Sequence, residues 1–191
     1  MPRFDKLLIL DLDETLVYTT DQSMGRGPDF HTIGFPVYKR PGVDGFLARC
    51  VEWFELAIWT SASEDYAQGI LEGLFTDLEV LSFVWTRDRC VRKLDPDLGG
   101  FCYLKDLRKL RRRGYSLEKI LIIDDTPATA RLNYGNIVPV AKYTGSIDDD
   151  ELPSLLTFLE ELGREENVRT IEKRGWRLRT LELLPDPEAT R

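Results

Sequence analysis

The segment Leu7-Leu8-Ile9-Leu10-Asp11-Leu12-Asp13-Glu14-Thr15-Leu16-Val17 decides how the rest of the chain reads. An apolar run of strand length stops at two aspartates separated by one residue. Such a run reads as a buried strand, and open α/β sheets place their ligand sites beyond the carboxyl ends of strands. On regular strand, Asp11 and Asp13 would share a face. Two carboxylates buried together are costly unless a metal ion or a shared proton offsets them. The segment therefore reads as a strand that delivers a metal-binding nucleophile and its acid/base partner. The plainer alternative is an Asp-rich turn whose carboxylates cap backbone N–H groups. That alternative keeps the strand and would lead for a lone D-x-D, but the full string with its preceding apolar run is more specific.

The length of 191 residues fits one domain with a small appendage and is enough for a sizeable core. Hydrophobic and charged fractions of 42% and 31% are those of a soluble globular protein. A net charge of −7 argues against a general nucleic-acid binder, which needs basic excess for its phosphate contacts. No apolar run approaches the roughly 20 residues that span a bilayer, and Met1 to Lys6 carry no signal-peptide pattern. No membrane association and a cytoplasmic location are expected. Cys50, Cys90 and Cys102 lack metal-ligand spacing and read as reduced thiols. The single histidine, His31, excludes mechanisms that need two and reads as a surface or structural residue.

Further strand-like runs follow at Leu56–Trp59, stopping at Thr60-Ser61, at Leu81–Trp85, stopping at Thr86-Arg87-Asp88, at Ile120–Ile123, stopping at Asp124-Asp125, and at Ile137–Val140. Between them, Phe46, Leu47, Cys50, Val51 and Phe54 recur at helical spacing from Val43, and Ser63 with Glu64 and Asp65 marks a helix start running to about Phe75. Lys105–Arg113 reads as a basic helix with a solvated face of Arg108, Lys109, Arg111, Arg112 and Arg113. Pro127 suits the first turn of a helix, and Leu152 to Leu162 form a last core helix. The acidic run 148–151 is expected to complement the dipole of that helix rather than bind calcium. Residues 19–34 and 93–101 read as loops, with Phe35–Tyr38 a short extended piece. Strands alternating with helices predict an α/β domain over residues 1–163, with a central, mostly parallel sheet and helices on both faces. Residues 164–191 read as a C-terminal appendage, partly helical and then frayed.

Three strand ends are polar: Asp11 and Asp13, then Thr60, then Asp124 and Asp125. Lys105 is placed at the start of the helix that precedes the fourth strand. One lysine, one hydroxyl and four carboxylates on neighbouring strand ends make a poor core. They make a sensible site for magnesium and a phosphoryl group, because oxygen ligands suit the hard cation while lysine and hydroxyl contact phosphate oxygens.

These residues resemble the haloacid dehalogenase superfamily, specifically its branch of RNA polymerase II C-terminal-domain phosphatases and their small, NLI-interacting-factor-like relatives. Asp11 to Val17 is similar to the first motif. Lys39-Arg40-Pro41-Gly42-Val43 with Phe46-Leu47 matches the segment after the first loop. Trp59-Thr60-Ser61-Ala62-Ser63 with Tyr66-Ala67 resembles the second motif. Arg87-Asp88-Arg89-Cys90 and Tyr103-Leu104-Lys105-Asp106-Leu107 resemble the approach to the third and the motif itself, and Ile122-Ile123-Asp124-Asp125-Thr126-Pro127 resembles the fourth. The similarity runs in order from residue 7 to about residue 162.

The resemblance implies a Rossmann-like haloacid dehalogenase fold and a magnesium-dependent phosphatase that works in two steps. Asp11 would attack phosphorus to form an aspartyl-phosphate. Asp13 would protonate the leaving oxygen and then deprotonate water, its backbone carbonyl also binding magnesium. Thr60, Ser61 and Lys105 would hold the phosphoryl group, with Arg87 as a weaker candidate for positioning substrate. Asp125 would bind magnesium directly, and Asp124 would bond Lys105 or a metal-bound water. The implied substrate is phosphoserine or phosphothreonine in a protein. A small phosphate ester or a nucleic-acid end is the alternative, and a non-catalytic phospho-ligand binding module is the reading from another class. Three departures from the family stand out. Asp124-Asp125 replaces a frequent Asp-Asn, the stretch from Val17 to Lys39 is short, and the segment from Cys90 to Lys105 is long. Cys102 to Arg108 also satisfies the bare Cys-x5-Arg pattern of cysteine phosphatases. Its intervening residues are bulky and helix-prone, however, and Asp106 would repel an anion.

Overall fold

The computed structural model of this protein describes residues 1–95 and 100–183. In chain order the elements are β1 (Leu7–Leu10), β2 (Val17–Thr19), β3 (Phe30–Thr32), β4 (Phe35–Lys39), α1 (Val43–Trp53), β5 (Glu55–Trp59), α2 (Glu64–Leu74) and β6 (Leu81–Trp85). They continue with β7 (Val91–Asp95), β8 (Gly100–Leu104), α3 (Arg108–Arg111), β9 (Ile120–Asp124), a 3₁₀ segment (Pro127–Asn136), β10 (Ile137–Pro139), α4 (Glu151–Arg164) and α5 (Trp176–Leu183).

β1 is apolar at every position because it lies in the middle of a five-stranded sheet of order β10-β9-β1-β5-β6. Every pairing in that sheet is parallel, and parallel sheets are covered on both faces. Leu8 and Leu10 join Phe46, Leu47, Leu155 and Phe158 in one buried cluster. Leu7 and Ile9 join Trp59, Leu107, Leu110 and Ala130 in the other. Thus α1, α2 and α4 cover one face, while α3 and the 3₁₀ segment cover the second. The register pairs Leu10 with both Ile58 and Ile123, so the residues that follow these three strands emerge level with one another. The α/β architecture expected from the alternation of strands and helices is the one observed.

Several local expectations need correction. Residues 19–34 are not wholly loop: β2 and β3 pair with β4 in a three-stranded antiparallel sheet. Strands of three residues carry too little alternation to show a period, and their pairing is decided by β4. This small sheet sits directly on α2. A side chain at Gly69 would meet Thr32 Oγ1 at 1.9 Å, and one at Gly73 would meet the Phe30 ring at 2.4 Å. Residues 93–101 contribute to an antiparallel hairpin of β7 and β8. Residues 96–99 of its expected turn, and the expected fraying of 184–191, lie outside the described residues.

Lys105 does not start a helix but directly follows β8. The helix is confined to Arg108–Arg111, because the Asp106 side chain accepts from Arg108 N at 3.0 Å and Gly114 ends the turn at a φ of 94°. Beyond α4, Val168 and Trp176 join the main core cluster. The Trp176 ring stacks on Phe158 at 5.9 Å. No helix among the described residues is long and apolar enough to cross a membrane.

The acidic run 148–151 does more than face a helix dipole. Asp149 accepts from Arg40 Nε and Nη2 at 2.7 and 2.8 Å, and buried Glu151 accepts from Ala141 N at 2.8 Å. Arg177 pairs with both Asp150 and Glu151. Arg40 is completely buried and also donates to the carbonyls of Thr15 at 3.0 Å and Ala141 at 2.8 Å. It thereby ties the first motif to the β10–α4 connection. Removing one partner of a buried ion pair leaves the other uncompensated, so Arg40→Ala is expected to destabilise the fold by about 3–5 kcal/mol. Arg49→Ala breaks the exposed pair with Glu52 and a surface cation–π contact over Trp53, and is expected to cost no more than about 1–2 kcal/mol. Urea unfolding of the two variants measures the difference.

Candidate active site

The ladder between β1 and β9 continues one residue past β1, with Asp11 N donating to Ile123 O at 3.0 Å. This fixes the Asp11 side chain at the sheet edge beside the end of β9. Lys105 enters from the end of β8 and is 1% exposed. Its Nζ donates to Asp11 Oδ1 at 2.6 Å and to Asp124 Oδ2 at 2.7 Å. Asp124 is held further by Thr129 Oγ1 at 2.7 Å and by Thr126 N at 2.8 Å. Asp125 accepts from Thr15 Oγ1 at 3.1 Å and Thr126 Oγ1 at 3.0 Å. Carboxylate oxygens of Asp11, Asp124 and Asp125 all lie within 4.8 Å of one another.

Asp13 stands apart from this group. The chain turns sharply after Asp11, with Leu16 N and Val17 N both donating to Leu12 O and Glu14 in the left-handed region at a φ of 59°. That is a strained conformation for a residue with a side chain. The regular strand that would put both aspartates on one face is absent, because β1 ends at Leu10. The Asp13 carboxylate instead accepts from the Tyr66 hydroxyl, which also meets Thr19 Oγ1 at 2.6 Å.

Thr60 follows β5 and is level with Asp11. Its N donates to Trp85 O at 2.9 Å, and its buried Oγ1 accepts from Ala62 N at 3.1 Å. The hydroxyl hydrogen of Thr60 therefore remains to be donated. Ser61 is half-buried, and its carbonyl accepts from Arg87 Nε at 2.7 Å. Arg87 is thus anchored rather than simply solvated, with its guanidinium 5.2 Å from the Tyr103 ring centroid.

Cys102 lies on β8 with its Sγ against the Lys93 carbonyl, and Arg108 is engaged by Asp106. Residues 102–104 are strand rather than a phosphate-cradling loop, so the cysteine-phosphatase pattern has no geometry behind it. His31 is exposed on β3. Tyr66, Thr15 and Thr129 are site residues that motif reading left without a role. Tyr66 and Thr15 lay inside the motifs, but the hydroxyl's target was set by long-range packing. Thr129, outside the quoted motifs, had no sequence signal.

The site is electrically unbalanced, with one buried ammonium serving two buried carboxylates beside a third. Burial pushes the Asp11 carboxyl up to about 8, with Lys105 opposing and Asp124 adding to the rise. Burial also raises Asp13, against the hydrogen bond from Tyr66, and raises Asp125, with Asp124 contributing. For Lys105, burial opposes the charged form, but Asp11 and Asp124 outweigh it and hold the ammonium above its ordinary range. Three converging carboxylates with a surplus of negative charge fit a hard divalent cation bound by oxygens.

The sign of the pH dependence follows. A carboxyl whose folded-state value lies above its unfolded value binds more protons in the folded state, so stability falls as pH rises between the two. With divalent ions chelated, the wild type is expected to melt at a lower temperature at pH 8 than at pH 6. Asp11→Asn is expected to lose most of that dependence. Thermal unfolding in chelator at the two pH values checks both.

Comparison with known proteins identifies the family and the fold. The sequence profile of the NLI interacting factor-like phosphatases matches residues 6–169. The CTD nuclear envelope phosphatase 1 of Xenopus tropicalis is 30% identical over 185 residues, covering 89% of this chain and 72% of the relative. Its homologue in Drosophila melanogaster is 30% identical over 191 residues, covering 92% and 75%. Among solved structures, a variant of the fission yeast RNA polymerase II CTD phosphatase Fcp1 bound to beryllium fluoride superposes with a TM-score of 0.55 at 19% identity. That match covers 86% of this chain, which spans about half of the solved one (53%), and shows the fold. With its first motif just beyond β1, its lysine just beyond β8 and its acidic pair at the end of β9, the chain has the fold of Fcp1 and belongs to the NLI interacting factor-like phosphatases.

Proposed function

We propose that this phosphatase acts on phosphoserine or phosphothreonine in proteins, through an aspartyl-phosphate on Asp11 and with magnesium as its cation. The observation that carries the reading is the buried Lys105 bridge between Asp11 and Asp124, with Asp125 completing an all-oxygen cluster. Asp11, Asp125 and the backbone carbonyl of Asp13 would hold the metal, which when bound neutralises charge on the phosphoryl oxygens.

The chain's own residues account for the remaining steps. Lys105 orients Asp11 and opposes the charge that accumulates as the carboxylate attacks phosphorus. The Thr60 hydroxyl donates to a phosphoryl oxygen, and Ser61 and Arg87 line the same edge. Asp13, raised by burial, supplies a proton to the leaving serine or threonine oxygen. It then takes a proton from the water that hydrolyses the aspartyl-phosphate. The Tyr66 hydroxyl holds Asp13 through both steps and favours its ionised form in the second. The relatives named as CTD phosphatases support a phosphoprotein substrate over a small ester or a nucleic-acid end.

Asp11→Asn keeps the shape of the side chain but removes the nucleophile. It is expected to lower turnover of an aryl phosphate by at least about a thousandfold while circular dichroism stays that of the wild type. Wild-type turnover in that variant would overturn the mechanism. Exhaustive chelation is expected to abolish activity and magnesium to restore it; a requirement met only by zinc would count against an oxygen-ligand site. Cys102→Ser is expected to remain fully active. In a side-by-side panel, phosphopeptides are expected to exceed sugar phosphates and phosphorylated nucleic-acid ends in kcat/KM, and the reverse order would transfer the assignment to the winning class.

A further inference from the structure

The β7–β8 hairpin exposes a cation, Arg92, beside the apolar side chains of Leu94 and Phe101, a group that no step of the mechanism uses. Antiparallel pairing sets Arg92 opposite Tyr103 and Leu94 opposite Phe101, and residues two apart on a strand share a face. Leu104 is buried on the opposite face; Arg92, Leu94 and Phe101 are exposed, while Tyr103 is half-buried with its ring against the second core cluster. Phe101 and Leu94 are 56% and 59% exposed, unusual for large apolar side chains on a hairpin already paired. The Arg92 guanidinium lies diagonally over the Phe101 ring at 3.6 Å. Arg87 repeats the arrangement over Tyr103 at 5.2 Å while its Nε holds the Ser61 carbonyl. Neither guanidinium forms an ion pair among the described residues. This cationic strip stands on a protein of net charge −7.

The strip is continuous with the phosphoryl site, because Tyr103 is two residues from Lys105 and Arg87 touches the residue after Thr60. β8 rises about 3.3 Å per residue, so Phe101 stands about 13 Å along from Lys105. That distance is spanned by about four residues of extended peptide. The geometry points to the outer face of β7–β8 as a docking strip for the phosphoprotein substrate, selecting an acidic side chain about four residues from the phosphorylated one. Arg92 supplies the charge, and Phe101 and Leu94 supply apolar surface to the flanking segment. A guanidinium stacked on a ring keeps its N–H edge free for a carboxylate. The inference rests on the phosphoprotein reading above and deepens it.

The test uses the full chain, p-nitrophenyl phosphate, and two phosphoserine peptides that differ only in carrying Glu or Lys at the third to fifth positions on both sides. The Glu peptide is expected to exceed the Lys peptide by about tenfold or more in kcat/KM, with the ratio shrinking in about 0.5 M salt as charges are screened. Arg92→Glu is expected to bring the ratio to within about twofold of unity or invert it, and Phe101→Ala to lower kcat/KM for both peptides. Both variants are expected to keep wild-type turnover of p-nitrophenyl phosphate, which also reports folding; if Arg92→Glu lost it, Arg92→Gln takes its place. Equal turnover of the two peptides by the wild type, or an unchanged ratio in the Arg92 variant, would overturn the docking strip while leaving the phosphatase reading intact. Turnover of p-nitrophenyl phosphate with neither peptide hydrolysed would instead overturn the phosphoprotein reading itself.

Discussion

One lysine ammonium buried between two aspartates is the interaction around which this structure is arranged. Lys105 bridges Asp11 and Asp124 at 2.6 and 2.7 Å, with Lys105 and Asp124 closed off from solvent and Asp11 nearly so. Burying three charged groups is costly unless each is matched. The match here demands that β1, β8 and β9 end at one place. The parallel register of β1 and β9 delivers the two aspartates, and the hairpin delivers the lysine. The charge balance is incomplete without a cation, and that incompleteness is the functional feature. A site that is fully neutral at rest would have little reason to take up a metal ion and a phosphoryl group.

The same economy governs the turn that follows Asp11. Glu14 adopts a left-handed conformation, and the strain is held in place by its neighbours: Tyr143 N donates to Glu14 O at 2.7 Å, and Arg40 grips Thr15 O at 3.0 Å. Strained turns persist where surrounding structure over-determines them. Arg40, reaching at once to Thr15, Ala141 and Asp149, is that surrounding structure. The effect is to lift Asp13 away from the acidic cluster and set it against Tyr66. Two carboxylates that are neighbours in sequence thereby receive different environments: one is fixed by an ammonium and the other by a phenol. Separate environments are what let two like groups take separate roles.

Function beyond the chemistry lies in what surrounds the sheet edge. The small sheet of β2, β3 and β4 rests on α2 through Gly69 and Gly73 and walls one side of the site. The β7–β8 hairpin walls another and presents the Phe101 ring and the Arg92 guanidinium outward. These two insertions differ in character: the first is apolar and pressed onto a helix, whereas the second is cationic and open. A fold shared by many phosphatases leaves selectivity to such loops.

The sequence by itself determined the layout of the chemistry. Leu7 to Asp11, Leu56 to Thr60 and Ile120 to Asp125 each show an apolar run ending in a polar group. Runs of that kind are legible because a strand covered on both faces must be apolar along its whole length. The parallel sheet, α1, α2 and α4, and the convergence of Asp11, Thr60 and Asp124 follow from those patterns. Tertiary structure alone decided the rest. The separation of Asp13 from Asp11 depends on a left-handed turn held by Arg40 from a distant part of the chain. Lys105 to Arg113 is rich in helix formers and by itself puts Lys105 on a helix, yet pairing of β8 with β7 overrides local propensity and sets it at a strand end. β2 and β3 were too short to declare themselves, and the acidic run 148–151 hid its partners because Arg40 and Arg177 are remote in sequence. Local periodicity reports which face of an element is buried; it carries no information about which distant group that face will meet.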